Sequence, residues 1–347
     1  MKRLFKIFAL AALGVAMLAM AAACNGETNR TGETGLLVKR FSGDEYYTVY
    51  GYNGGFEGES SVLDIGAYAE EHNIVIGRIQ EGAFEDNNTL TEIIVPSTVE
   101  TIDAGAFRSM RRLEKITLPF VGLNADSDSY LGESADAEDK AVDSERIFCH
   151  IFGTEEFEQG AAVTANYGSS TATYYLPYTL TEVTIAPAGD YGIPMYAFSG
   201  VAQLSKITLG EGVNAIGAFA FENCGVQNIT LPSTLKNIYD SAFVGATALR
   251  DNGISFEGLT LEKIGAHAFE ATGLTSLAVN VQTIGEYAFA GSSLKSVTVT
   301  GVKEIGAWAF AECEKLEAAN VSITVLSGET LVMGTYAFGS ITSDIEY

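Results

Sequence analysis

Basic residues are scarce in this chain: 20 Lys and Arg stand against 44 Asp and Glu over 347 residues. The formal charge of −24 opposes nucleic-acid binding, whose affinity rests on neutralising phosphates with Lys and Arg. It equally opposes docking on an anionic lipid surface by charge, and its general consequence is solubility. Histidine is rarer still, with His72, His150 and His267 scattered along the chain. No His/Cys spacing suits zinc and no G-x-S-x-G nucleophile motif occurs. The sequence therefore presents neither a catalytic apparatus nor a cofactor or metal site. Glycines cluster at residues 51–58 but lack both GxGxxG spacing and a following Lys-Ser/Thr, so they read as turn chemistry rather than a phosphate loop.

The long apolar run stands at the start. Lys2, Arg3 and Lys6 precede an uninterrupted stretch from Ile7 to Ala23, which ends in Ala21-Ala22-Ala23 directly before Cys24. A run this short, ending in small residues, reads as a cleaved signal and not a membrane span. The Cys after small residues resembles the lipobox of bacterial lipoproteins, with Ala21 where that family usually has Leu. The resemblance implies lipid attachment at Cys24, and an ordinary secretory signal is the alternative. Residues 24–38, rich in Gly, Glu, Thr and Asn, read as a flexible tether. Tyr46, Tyr47, Val49 and Tyr50 alternate before the Gly-rich turn, so residues 39–78 suggest a hairpin-bearing N-terminal cap.

Beyond the cap a phrase recurs. In VQTIGEYAFAGSSLKSVTV (Val281 to Val299) the Ile-x4-Phe core of Ile284 and Phe289 is one copy among many: Ile79/Phe84, Ile102/Phe107, Ile147/Phe152, Ile193/Phe198, Ile216/Phe221, Ile238/Phe243, Ile264/Phe269, Ile305/Phe310 and, more weakly, Met333/Phe338. Ala precedes the Phe in every copy but that of Ile151. Such self-similarity is the signature of a solenoid. Segments such as LEKITLP (Leu113 to Pro119) carry the alternation of a half-buried strand, and Pro96, Pro119 and Pro232 fall just after it, where no ladder donor is required. A Ψ-x-x-Ile step follows, then Gly217, Gly265, Gly285 or Gly306, read as backbone freedom for a corner. The Phe is expected to plug each coil, stacked on its counterparts above and below. Cys224 and Cys313 each lie three residues after a repeat Phe and four coils apart, so their Cα atoms should be about 19 Å apart at the 4.8 Å spacing of strands. That is far beyond disulfide reach.

The pattern ΨxxIGxxAFxxCxxLxxΨxΨP resembles the BspA-like bacterial leucine-rich repeat family over about residues 41–347, and lacks the Asn/Cys ladder of the commoner leucine-rich repeat. The resemblance implies a β-rich α/β fold: a right-handed curved solenoid of about ten short coils over residues 79–347, with a parallel sheet on the concave face. It also implies exported or surface-exposed proteins, several of them adhesive. Two long Phe-to-Phe intervals bracket the degenerate RIFCHIFG copy, placing one large insertion at residues 120–175. Within it Asn124, Asp126 and Asp128 alternate as in calcium loops, but Ser129 and Ala135 stand where Gly and Glu are needed, so a solvated loop is expected. Tyr167, Tyr174, Tyr175 and Tyr178 then offer aromatic packing across the repeat edge.

If the strand Ψ residues point inward, the residue between them faces outward: Ile94, Thr117, Thr208, Thr230, Ala278, Thr298 and Asn320. This Thr-rich row reads either as β-branched residues suited to a solvated strand or as a hydrogen-bonding surface; Thr117, Thr208, Thr230, Thr298 and Asn320 are its candidate binding residues. The expected function is a lipid-anchored, cell-surface binding or adhesion protein that recognises a protein or glycan, held to a membrane through Cys24 and without a nucleic-acid partner. A self-associating envelope or matrix component is the alternative, and an exported enzyme acting through the insertion the remainder.

Overall fold

The computed structural model describes residues 35–54, 60–125, 131–132, 144–167 and 170–345. The leader, Cys24, most of the tether, and Asp126, Asp128, Ser129 and Ala135 lie outside the described residues. The chain forms a parallel-sheet solenoid of about ten turns. A regular turn contributes to a first ladder, then a second, then a tight turn carrying the repeat Phe.

The first ladder is built from the alternating segments. Val62–Asp64, Glu92–Ile94, Lys115–Leu118, Glu182–Ile185, Lys206–Leu209 and Asn228–Thr230 pair in parallel in that spatial order. Ile93, Ile116, Val183, Ile207 and Ile229 all point into the core, as period-two alternation requires. A second stretch of the same ladder joins Ser276–Ile284, Ser296–Val302 and Val321–Val325.

The Ψ-x-x-Ile step, to which the sequence assigns no element, is itself a ladder. Ile193, Ile216, Ile238, Ile264, Ile284, Ile305 and Met333 are register partners from one parallel strand to the next. At the N-terminal end Leu36–Lys39 pairs antiparallel with Tyr47–Tyr52, which pairs parallel with Ile76–Ile79. A seven-residue helix, Ile65–Glu71, is capped by the Asp64 carboxylate, which accepts from the Ala67 N–H at 2.9 Å.

The Phe side chains form one continuous column. Phe198, Phe221, Phe243, Phe269, Phe289, Phe310 and Phe338 stack ring on ring with centroids 4.6–5.2 Å apart. From Phe198 to Phe310 each Phe N–H donates to the carbonyl of the Ala in the next coil at 2.7 Å, and those Ala side chains are fully buried between coils. The degenerate copy keeps the column unbroken by supplying two rings, Phe152 against Phe107 and Phe148 against Phe198.

The segment 120–175 departs from the repeat but is partly folded onto it. Gly160–Tyr167 and Ser170–Pro177 form an antiparallel hairpin whose Val163, Ala165, Tyr174 and Leu176 are buried in the solenoid core. Tyr174 packs as expected, whereas Tyr178 is 63% exposed. Cys149, Cys224 and Cys313 are free buried thiols, and burial pushes the Cys224 thiol up to about 12.

Candidate ligand-binding surface

Parallel pairing aligns the outward residues of the first ladder into rows. Ile94, Thr117, Thr184, Thr208 and Thr230 form one row, strand by strand. The structure thus brings together Thr117, Thr208 and Thr230, and adds Thr184. That residue carries the same Leu180-x-x-Val183-x-Ile185 signal, but its strand follows the insertion and so escapes a reading by fixed period. The next row is charged and internally compensated: Glu92, Lys115, Glu182, Lys206 and Asn228 are neighbours, and Glu182 meets Lys206 at 3.2 Å and Lys115 at 3.7 Å. Exposed pairs of this kind contribute little stability, but they neutralise the surface beside the Thr row.

Thr298 belongs to the other stretch of the ladder, where its partners are Ala278 and Ser322. Asn320 is not in the row: it ends a 3-10 turn, Ala318–Asn320, and the strand begins at Val321. The physical reason is the alternation of Val321, Ile323 and Val325, which sets the pleat and leaves Ser322 as the outward residue. The neighbouring rows are Ser276 with Ser296, and Asn280 with Thr300 and Thr324. This stretch is uncharged and hydroxyl-rich, with Ser276, Ser296, Thr298, Ser322 and Thr324 exposed.

Between the two stretches the first ladder is interrupted. Here the coil bears a 3-10 turn, Asp251–Gly253, instead of a strand. In three unbroken coils a single carbonyl accepts two consecutive N–H groups of the next strand: Glu114 from Thr181 and Glu182, Thr181 from Ser205 and Lys206, Ser205 from Gln227 and Asn228. At the interruption the Asp251 carboxylate does this instead. One of its oxygens accepts from the N–H groups of Thr275 at 2.6 Å and Ser276 at 3.1 Å, and the other accepts from both their hydroxyls. Burial pushes the Asp251 carboxyl up, but these hydrogen bonds outweigh it and hold the group below its ordinary value. A shallow depression of about 330 Å³ opens beside it, lined by Asn228, Thr230, Asp251, Asn252, Ser255 and Glu257.

Asp251→Ala should therefore lower stability at neutral pH by about 1 kcal/mol, the order of the net contribution of hydrogen bonds to a partly exposed charged group. Because the folded-state carboxyl titrates below the unfolded one, this contribution is present above the unfolded value of about 3.9 and is lost as pH falls through the folded value. Urea unfolding of wild type and variant should give curves that converge in acid; a constant gap down to the lowest pH would contradict the role.

Chemically these surfaces hydrogen-bond. Among the described residues no group of His, Cys, Asp and Glu is disposed to hold a metal ion. The His72 Nδ1–H donates to the Tyr68 carbonyl at 2.9 Å and the ring stacks on that of Tyr68, and His267 is paired with Glu270.

Comparison with known proteins agrees with this architecture. A family model for the BspA type leucine rich repeat region matches in six copies over residues 72–130, 170–280 and 262–344. No curated protein matches the chain. Among solved structures, a leucine-rich repeat protein from Eubacterium ventriosum is 20% identical, with 90% of this chain and 94% of that one covered and a TM-score of 0.39. One from Bacteroides ovatus is 17% identical, covering 90% and 81%, with a TM-score of 0.28. A leucine rich cell surface protein from Faecalibacterium prausnitzii is 17% identical, covering 87% and 96%, with a TM-score of 0.30. The repeat model spans well over half of the sequence, and the chain belongs to the BspA type leucine rich repeat family.

Proposed function

We propose that this chain is an exported binding protein, anchored through a lipid on Cys24, that uses the outward face of its first ladder to hold a protein or glycan. The observation that carries this reading is the uncharged hydroxyl field of Ser276, Ser296, Thr298, Ser322 and Thr324, exposed in register on a rigid sheet. A strongly acidic chain that leaves one face neutral and rich in hydrogen-bonding groups is suited to neutral partners, since no like-charge repulsion acts there. Thr117, Thr184, Thr208 and Thr230 extend the same chemistry across the interruption, beside charges that cancel one another. Membership of a repeat family also supports binding in place of catalysis, because stacked coils provide extended recognition surfaces. Presented to arrays of glycans and surface proteins, the mature chain should bind, and the double substitution Ser296→Lys/Thr298→Lys should abolish that binding without changing the melting temperature. Undiminished binding by the double variant would contradict the assignment. Self-association with no array binding would favour a structural component.

A further inference from the structure

A second column of rings runs along the solenoid, and neither the fold nor the first ladder accounts for it. The residue before each Ala-Phe pair has a left-handed backbone. It is Gly82 and Gly105 in the first copies, with φ of 66° and 63°, and then Tyr196, Phe219, Ser241, His267, Tyr287, Trp308 and Tyr336, with φ between 51° and 59°. Glycine adopts this conformation freely, whereas bulky residues there are outliers. The coils of Gly82 and Gly105 stack their Phe rings at 5.2 Å, so the fold does not require a side chain at this place. Tyr196 and Phe219 have a packing explanation, against buried Met195 and Ala218. Three of the four rings that follow, Tyr287, Trp308 and Tyr336, take part in neither buried cluster.

Those four nevertheless stack on one another, with centroid distances of 5.0 Å from His267 to Tyr287, 6.3 Å to Trp308 and 4.8 Å to Tyr336. The column is open to solvent, with the His267 side chain 39% and Tyr336 54% exposed. The phenol hydroxyls of Tyr287 and Tyr336 and the indole N–H of Trp308 have no hydrogen-bond partner among the described residues. The left-handed backbone is common to all these copies, so what sets the last four apart is the ring stack itself, partly exposed and with unspent polar tips on Tyr287, Trp308 and Tyr336.

We propose that this ridge binds a neutral, extended, β-linked polysaccharide running along the solenoid axis. Three observations select that class. The rungs recur at 4.8–6.3 Å, close to the rise of one sugar in such a chain, whereas same-face side chains of an extended peptide recur at about 6.6 Å, twice the strand rise. The ring edges carry the Tyr287 and Tyr336 hydroxyls and the Trp308 indole N–H, which offer hydrogen bonds to sugar hydroxyls at three successive coils. The net charge of −24 disfavours polyanions, nucleic acid included.

The chain has one tryptophan, and it stands in the ridge, so its emission reports occupancy directly. The mature protein should be titrated with hydroxyethyl cellulose, xylan and glucomannan, with dextran as an α-linked control, and run in native gels containing the same polymers. At least one β-linked polymer should shift the Trp308 emission and retard the protein, and dextran should not. Tyr287→Gly and Tyr336→Gly, which suit the left-handed backbone and leave Trp308 as reporter, should each weaken binding about tenfold, as expected for an aromatic anchor. Wild-type affinity in both variants, or no binding to any of the three β-linked polymers, would overturn the proposal. So would loss of polymer binding in Ser296→Lys/Thr298→Lys with retention in Tyr287→Gly, an outcome that places the ligand on the first ladder instead.

Discussion

Replacing Phe289 with alanine is expected to lower the stability of the solenoid by about 3–5 kcal/mol, the range for deleting a buried aromatic. Phe289 is fully buried and stacks at 5.2 Å on both Phe269 and Phe310, almost parallel to each. Truncation therefore opens a cavity on two coil interfaces, and in a quasi-one-dimensional array each interface is one of the few things holding its neighbour. The side chain touches no exposed surface, so binding by folded molecules should be unchanged. Thermal unfolding should show a fall of several degrees, with a second, earlier transition where the C-terminal coils separate. Melting like the wild type would mean that the rings merely line the coil.

Gly285→Val should be damaging for a different reason. A Cβ built on Gly285 would lie 2.4 Å from the Ala266 nitrogen and 2.5 Å from the Gly265 carbonyl carbon. Those are backbone atoms of the preceding coil, so the strain cannot be relieved by rotating a side chain. Gly306 and Gly334 repeat the contact, with a Cβ 2.5 Å from Glu286 N and 2.2 Å from Ala307 N. Forcing this row apart is overpacking and is expected to cost about 1–3 kcal/mol, read as a lower midpoint in urea. Gln80, Asp103 and Tyr239 occupy the same corner in other coils, so the constraint belongs to Gly217, where a Cβ would lie 2.6 Å from the Ile193 carbonyl oxygen, and to the run from Gly265 to Gly334. An unchanged midpoint would show that the corner can open there too.

The sequence reading assigned those glycines to backbone freedom at a corner. In the structure Gly217, Gly265, Gly285 and Gly306 are not left-handed, and their role is close approach. Period alone exposes that a small residue is needed, but which atom it avoids lies in another coil. The Phe column and the first ladder were legible because Ile-x4-Phe and Ψ-x-Ψ repeat at fixed spacing. The second ladder was not: strands as short as Asn237–Ile238 and Glu304–Ile305 are too brief to show alternation. Thr184 was hidden by the insertion before it, and the outward position falls two residues after Asn320, at Ser322, because the three-residue 3-10 turn Ala318–Asn320 precedes the strand. Asp251 had no local mark at all, since the carbonyl it replaces belongs to a strand that never forms. The left-handed position was visible only as variability, with His267, Tyr287 and Trp308 at one place in the phrase. What the variability lacked was the knowledge that those side chains stack outside the core.

A buried column and a partly exposed one thus run side by side, two residues apart, from the coil of His267 to that of Tyr336. Thermal unfolding of Tyr287→Gly beside Phe289→Ala tests this separation most directly. Loss of stacking, about 0.5–1.5 kcal/mol per aromatic pair, is offset by relief of the left-handed strain. Tyr287→Gly should therefore melt close to the wild type while Phe289→Ala melts far below it. Equal losses in the two variants would make the outer rings part of the core and would remove the reason to regard them as a site.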